Sequence, residues 1–384
     1  MKNTYLYQVF IVGMAIFSMF FGGGNLTFPL WVGSETTSVA LSSLGFILTG
    51  VLLPFFGILV SIRYNGDYEA YLGMWGKRVG QCLVFALLLF WIPFGSGPRC
   101  NHLAFGAFST QTSWEIPFWV YSLIYSVVVY VLTVRESRVI QILGNVMTPL
   151  LVFALFFLIY AGITFEGSST FIRNAPQENF TSAFFAGYHT MDFIAAIFFS
   201  STVVRLVKAE QKEKFNIKLV RDACLFAVAL LSGIYIGLIN LGYVGADHLL
   251  NIPKDRLLAA IGQSLFADQF HWVIFLVITL SVLSTSIALS LVFSEYLRKT
   301  LFRDRLSHPF CLFITVVLSF LLSIIGLEKL FALISYAMTV LYPILLGITV
   351  YAYFKRSNPE SLCPTGQKEE PQTLFETQQQ GSGG

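Results

Sequence analysis

The chain has 384 residues, 55% of them hydrophobic and only 12% charged, with a mean hydropathy of +0.71. That is too apolar for a soluble globule and reads as a polytopic membrane protein. A net charge of +3 says little by itself, and no nucleic-acid partner is read from it; Cys82, Cys100, Cys224, Cys311 and Cys363 show no paired spacing, so neither a disulfide framework nor a cysteine metal site is indicated.

A membrane span needs about 20 mostly apolar residues. Ten stretches qualify, roughly 7–33, 39–62, 81–108, 116–134, 139–164, 181–207, 223–244, 272–297, 309–326 and 329–354. The first is too long for a signal-peptide core and lacks a small-residue cleavage site, so it is expected to remain as a span. The third and sixth are long and interrupted. The polar segment 356–384, rich in Gln and Glu toward its end, is expected to be a disordered cytoplasmic tail.

The first stretch carries FFGGGNLTFP, Phe20 to Pro29, with three glycines and an asparagine deep in an apolar run. The sixth carries AGYHTMD, Ala186 to Asp192. Spans one and six are five apart, and an odd number of spans per repeat inverts the second copy in the bilayer. Paired discontinuous helices at corresponding positions are the mark of inverted-repeat secondary transporters. Spans five and ten share a trace, GNVMTP (144–149) against YAMTVLYP (336–343). The expected fold is therefore all-α, with about ten transmembrane helices. A 5+5 inverted repeat would have helices 1 and 6 broken, with a first repeat over 1–165 and a second over 166–355.

Irregular backbone survives at membrane depth only when buried in protein or lining a polar cavity. A broken helix offers free N–H groups on one half and carbonyls on the other. An amino-acid zwitterion needs both, and a small cation suits the carbonyls. Close packing through small residues is the alternative use of such glycines. In the eighth stretch Ser281, Ser284 and Thr285 share one helical face. Their hydroxyls could complete a cation shell, or bond back to their own helix carbonyls.

Ionisable groups inside spans are functional candidates. Here they are Arg99, His102, His189 and Asp192. Asp192 could bind an ammonium group, carry a proton or cap a half-helix. Arg99 could meet a carboxylate or pair with Asp192. The connectors alternate in charge: 19 of the 24 basic residues fall on one side, which puts both termini in the cytoplasm.

Taken together, FFGGGNLTFP with Val32-Gly33, the Pro98-Arg99 pair, GNVMTP and GYHTMD resemble the branched-chain amino acid:cation symporters of bacteria. The resemblance runs from the first span to about residue 350. It implies the inverted-repeat fold of the bacterial leucine transporter, a place in the inner membrane, and uptake of leucine, isoleucine and valine with Na⁺. It further implies Na⁺ ligands at Ser18, Phe21, Ser281, Ser284 and Thr285. The substrate carboxylate would meet the backbone of Gly22, Gly23, Gly24 and Asn25. Its ammonium would meet the region of Gly187, Tyr188, His189 and Thr190, with Asp192 beside it. The family usually has twelve spans against ten here. An H⁺-coupled carrier of apolar amino acids that includes methionine is the alternative, and a channel is remote because no charged ring or repeated carbonyl filter is present. No HExxH or nucleophile–base pattern suggests an enzyme.

Overall fold

The computed structural model describes residues 2–112, 114–134, 148–163, 176–210, 216–249, 252–266 and 271–355. Among them every regular element is a helix. The tail from 356 onward and the GNVM part of GNVMTP lie outside the described residues.

Helix α1 (Lys2–Phe20) stops at Phe21-Gly22 and α2 (Gly23–Glu35) restarts at an angle of 73° to it. Span two is α3 (Val39–Ile62), which opens on the Ser38 cap and widens into a π turn at Leu48–Leu52. A short helix α4 (Tyr68–Leu72) leads into α5 (Lys77–Gln111), which carries a second π turn at Ile92–Ser96 around Pro93. A proline supplies no backbone N–H, and a wide turn is one way to accommodate it. Then follow α6 (Phe118–Thr133) and α7 (Thr148–Ile163). The sixth span is again a pair, α8 (Pro176–His189) and α9 (Asp192–Glu210), bent by 41°. The remaining helices are α10 (Ile217–Val244), α11 (Leu257–Phe266), α12 (His271–Tyr296), α13 (His308–Ser323) and α14 (Leu327–Phe354).

Nine of the ten expected stretches overlap these elements along their described length, and of the fifth, 139–164, the described part from Thr148 is helical while 139–147 lies outside the described residues. Among the described residues five helices are long and apolar enough to cross a bilayer, two bent pairs pass the same test together, and α6, α7 and α13 are shorter apolar helices. Lipid is the solvent that their outer faces require. Leu123, Ile124, Val127 and Val131 of α6 and Phe153, Phe156 and Tyr160 of α7 are exposed, which an aqueous surface would not tolerate as contiguous stripes.

Two groups of helices organise the interior. In one, α10 packs along both α1 and α2, while α3 packs along both α8 and α9. In the other, α5, α6, α12 and α13 pack on one another. The first group closes without room for side chains at its contacts. A Cβ on Gly33 or Gly242 would strike the backbone of the facing helix, so α2 and α10 touch main chain to main chain. Gly187 meets Thr49 Oγ1 and the Gly50 backbone of the α3 π turn, and Thr49 Oγ1 donates to the Phe184 carbonyl at 2.7 Å. The residues that follow α3 and α12 make contacts with α14 and α4: Arg63 Nη1 reaches the Tyr353 carbonyl at 3.0 Å and Thr300 donates to Glu69 at 2.9 Å.

Candidate functional site

Both breaks are narrower than the sequence suggests. At the first, only Phe21 and Gly22 leave the helix, whereas Gly23, Gly24 and Asn25 already belong to α2. The reason is local: Asn25 Oδ1 accepts from the Gly22 N–H at 3.2 Å, so its side chain starts the new helix. At the second, Gly187, Tyr188 and His189 remain in α8, and the chain turns at Thr190-Met191. Met191 takes φ +65°, a left-handed conformation that costs a non-glycine residue about 1–3 kcal/mol. Its side chain lies against Gly95 in the α5 π turn, where a Cβ would come within 3.1 Å of the methionine sulfur.

Asn25 joins the two breaks. Its Nδ2 donates to Asp192 Oδ2 at 2.6 Å and to the Tyr235 hydroxyl of α10. Tyr235 in turn lies 3.5 Å from the same carboxylate oxygen. Asn25 and Asp192 are 2% and 5% exposed, so this is a buried network rather than a surface contact. Arg99, equally buried, donates to the His189 carbonyl at 3.2 Å and stands over the Phe28 ring. Gly24 makes room for it, since a Cβ there would strike the guanidinium.

These groups surround one cavity between α1, α2, α5, α9 and α12. Its polar wall includes Gly22 to Asn25, Arg99, Thr190 and Asp192; its apolar wall includes Phe20, Trp91, Ala195, Phe199 and Leu289. An acidic and a basic side chain beside a hydrocarbon lining match a zwitterion with an apolar side chain. The centre of a water-sized sphere has about 30 Å³ of freedom inside, room for water but not for an amino acid in this conformation.

The carbonyls expected to receive an ammonium group already have partners. Gly187 O accepts from Thr190 Oγ1 at 2.8 Å, Tyr188 O from Tyr342 at 2.8 Å, and His189 O from Arg99. Among the expected contacts, Asp192 is the anionic group at the cavity wall. His189 stacks on Phe28 rather than on Asp192.

On the other side of the first break, Thr285 of α12 faces Gly22. A Cβ on Gly22 would lie 2.6 Å from Thr285 Oγ1. The hydroxyls of Ser284 and Thr285 both donate to the Ser281 carbonyl at 2.9 Å, as helical Ser and Thr tend to do. That leaves their lone pairs for another partner. Ser281 Oγ is buried with no hydrogen-bond partner among the described residues. Phe21 is fully buried and Ser18 half-buried on α1.

Sequence reasoning missed Tyr235, Tyr342, Trp91 and Phe199. Each sits in an apolar run, where an aromatic residue has no distinguishing context. His102 is not at the cavity; its ring lies 3.0 Å from the Ser323 carbonyl and stacks on Phe118. Near the helix ends Asp222 pairs with Arg221 and accepts from Tyr5, and Glu295 pairs with Lys299.

The family described as branched-chain amino acid transport protein matches residues 6–362. The chain belongs to that family. It is 28% identical, over 93% of its length and 83% of the relative's, to a candidate branched-chain amino acid carrier protein of Staphylococcus saprophyticus. A Staphylococcus aureus protein of the same description is 29% identical over 91% of this chain and 81% of its own. Among solved structures, inward-facing Mhp1 aligns with a TM-score of 0.60 at 16% identity, covering 89% of this chain and 76% of that one. MhsT in complex with L-phenylalanine also gives 0.60, at 15% identity, covering 88% and 87%. The chain thus shares the fold of these solved structures. It is an integral membrane amino-acid transporter and not an enzyme.

Proposed function

We propose that the protein is a Na⁺-coupled symporter that carries leucine, isoleucine and valine into a bacterial cell by alternating access. It would sit in the cytoplasmic (inner) membrane with both termini inside, as the one-sided basic connectors suggest. The observation that carries the reading is the Asn25–Asp192 bond. It joins the two helix breaks at a cavity lined by Asp192 and Arg99 together with Phe20, Trp91, Ala195, Phe199 and Leu289.

In this reading the substrate ammonium meets Asp192 and the turn at Thr190, and reaches the Gly187, Tyr188 and His189 carbonyls only by displacing their present partners. The carboxylate meets Arg99 and the start of α2, from Gly22 to Asn25. The aliphatic side chain points toward Phe20, Ala195 and Phe199. Na⁺ binds between the α1 backbone at Ser18 and Phe21 and the α12 groups Ser281, Ser284 and Thr285. No ligand geometry is implied beyond Thr285 facing Gly22.

Reciprocal packing supports division into two inverted halves, 1–165 and 166–355. Both halves of span one lie on span seven, and both halves of span six lie on span two. Exchanging one with six and two with seven maps this arrangement onto itself, as a five-span repeat requires. A second reading, H⁺ coupling, rests on the burial of Asp192 at the second break.

Leucine uptake into proteoliposomes separates the two readings. An inward Na⁺ gradient is set against an equal choline gradient, each with and without a pH gradient. The symporter reading expects accumulation with Na⁺ alone. Uptake driven only by the pH gradient would transfer coupling to Asp192. No uptake from folded protein under any gradient would remove the substrate assignment.

A further inference from the structure

A second polar cavity lies between α5, α6, α12 and α13 and shares the Leu289 wall with the substrate cavity. Its oxygen-bearing walls include Asn101 of α5, Ser126 of α6, Ser286 and Ser290 of α12, and Ser319 of α13. None of these residues is on a broken span. Ser286 and Ser290 are four apart and so share a helical face. That face begins one residue beyond Thr285, so α12 presents hydroxyls both toward the first break and away from it.

The local backbone is shaped for close approach. The π turn of α5 at Ile92–Ser96 ends at Gly97, and both Ile92 and Gly97 line the cavity. A Cβ on Gly97 would come within 2.8 Å of Ser319 Oγ and 3.0 Å of the Ile92 carbonyl. Single π turns in otherwise regular helices recur at functional sites. Tyr125 and Ser286 hydroxyls are 2.9 Å apart, which fixes one wall.

The decisive atom is Asn101 Oδ1. Asn101 is 3% exposed, lines the cavity, and its Oδ1 has no hydrogen-bond partner among the described residues. An orphaned buried acceptor calls for a donor or a cation. The centre of a water-sized sphere has about 20 Å³ of freedom there, enough for a single water or bare ion and far too little for an amino acid. No carboxylate is among the lining residues, so a divalent ion would find no counter-charge. The amide oxygen of Asn101 and the hydroxyl-bearing residues contributed by α6, α12 and α13 suit a monovalent hard cation.

We propose that this cavity is a Na⁺ site separate from the one between α1 and α12. It holds α5, α6, α12 and α13 together as the scaffold against which the broken helices move. The inference does not depend on the coupling site, because no residue is shared.

The test counts ²²Na⁺ bound per protein in nanodiscs for wild type, Asn101→Leu, Ser290→Ala and Thr285→Ala, with folding checked by thermal unfolding. Two ions are expected in wild type. Asn101→Leu and Ser290→Ala should each weaken one of them tenfold or more, Thr285→Ala the other, and Ser290→Ala carries the test if Asn101→Leu does not fold. Wild-type binding in both Asn101→Leu and Ser290→Ala would overturn the proposal and leave the cavity to water. A single wild-type ion lost in Ser290→Ala but kept in Thr285→Ala would support this site and overturn the coupling site instead. No bound ion in wild type would overturn both.

Discussion

Gly22→Ala isolates the contact between the first break and α12. Gly22 has φ −122° and ψ −172°, extended backbone that alanine adopts without strain. The substitution therefore acts through one methyl group. That methyl would lie 2.6 Å from Thr285 Oγ1 and 3.1 Å from its Cγ2. The first distance is about 0.9 Å inside ordinary contact at ~3.5 Å. Relief requires Thr285 to turn or α12 to shift, and overpacking of this kind costs about 1–3 kcal/mol. If the Thr285 hydroxyl ligates Na⁺, the cost falls on ion binding, since the displaced hydroxyl is the ligand. At 1.4 kcal/mol per tenfold, the Na⁺ concentration for half-maximal leucine uptake should rise roughly 5–150-fold. Maximal uptake at saturating Na⁺ should fall less. Gly22→Ala with Thr285→Ser removes Cγ2 and frees the hydroxyl to rotate, so the double variant should recover most of the Na⁺ affinity. The measurement is a Na⁺ titration of initial leucine uptake in proteoliposomes, with thermal unfolding as the control. A folded Gly22→Ala protein whose Na⁺ dependence stays within twofold of wild type would refute the reasoning.

Asn25→Ala deprives the Gly22 N–H, Asp192 and Tyr235 of a partner at once. Each buried group so orphaned costs about 1–3 kcal/mol, so both the unfolding temperature and leucine uptake should drop, and an unchanged unfolding temperature would contradict the network. Ala195→Val narrows the apolar wall by two methyl groups, and discrimination on that scale is worth about 1–3 kcal/mol. It should raise the KM for leucine about tenfold while changing that for valine less; equal changes for both would move the side-chain subsite elsewhere. Gly33→Ala drives a methyl into the Ile239 carbonyl, a backbone atom with no rotamer to escape into. Its unfolding temperature should fall more than that of Gly22→Ala, which meets only a side chain, and the reverse order in differential scanning fluorimetry would argue against the close α2–α10 contact.

The broken spans were legible because a glycine run inside an apolar stretch has few other uses. Their exact extent was not. Asn25 reads as part of the break, yet its side chain caps the new helix, and capping depends on a rotamer that composition does not reveal. Gly187 also reads as part of the break. It is helical, and its missing side chain serves contact with Thr49 and Gly50, a pairing between residues far apart in the chain. The turn falls instead on Met191, for which sequence rules favour glycine or asparagine. The two π turns left only proline and glycine as hints, and Tyr235 left none. Its role depends on α10 lying along α1 and α2, which is tertiary information.

The same residues explain why the two breaks should act as a unit. Each broken span is held to a partner span by close contact at glycine: α2 to α10 main chain to main chain at Gly33 and Gly242, α8 to α3 at Gly187, which meets Thr49 Oγ1 and the Gly50 backbone. At Gly33 and Gly242 such contacts tolerate little sliding, because no side chain can repack to absorb it. The polar link between the two pairs is different in kind. Asn25, Asp192 and Tyr235 form three hydrogen bonds that a substrate ammonium could partly replace. Binding energy can shift a conformational equilibrium only through contacts that differ between its states. The glycine contacts are the wrong place for that difference, since losing them separates helices. The Asn25–Asp192 link is the right place, since it is short, buried and at the wall of the cavity. An Asn25→Asp substitution makes the point testable. It sets a second carboxylate against Asp192, so the link should open without substrate, and hydrogen exchange at the α2 and α9 N-termini should rise. Exchange unchanged from wild type would mean that the two breaks are held together by packing alone.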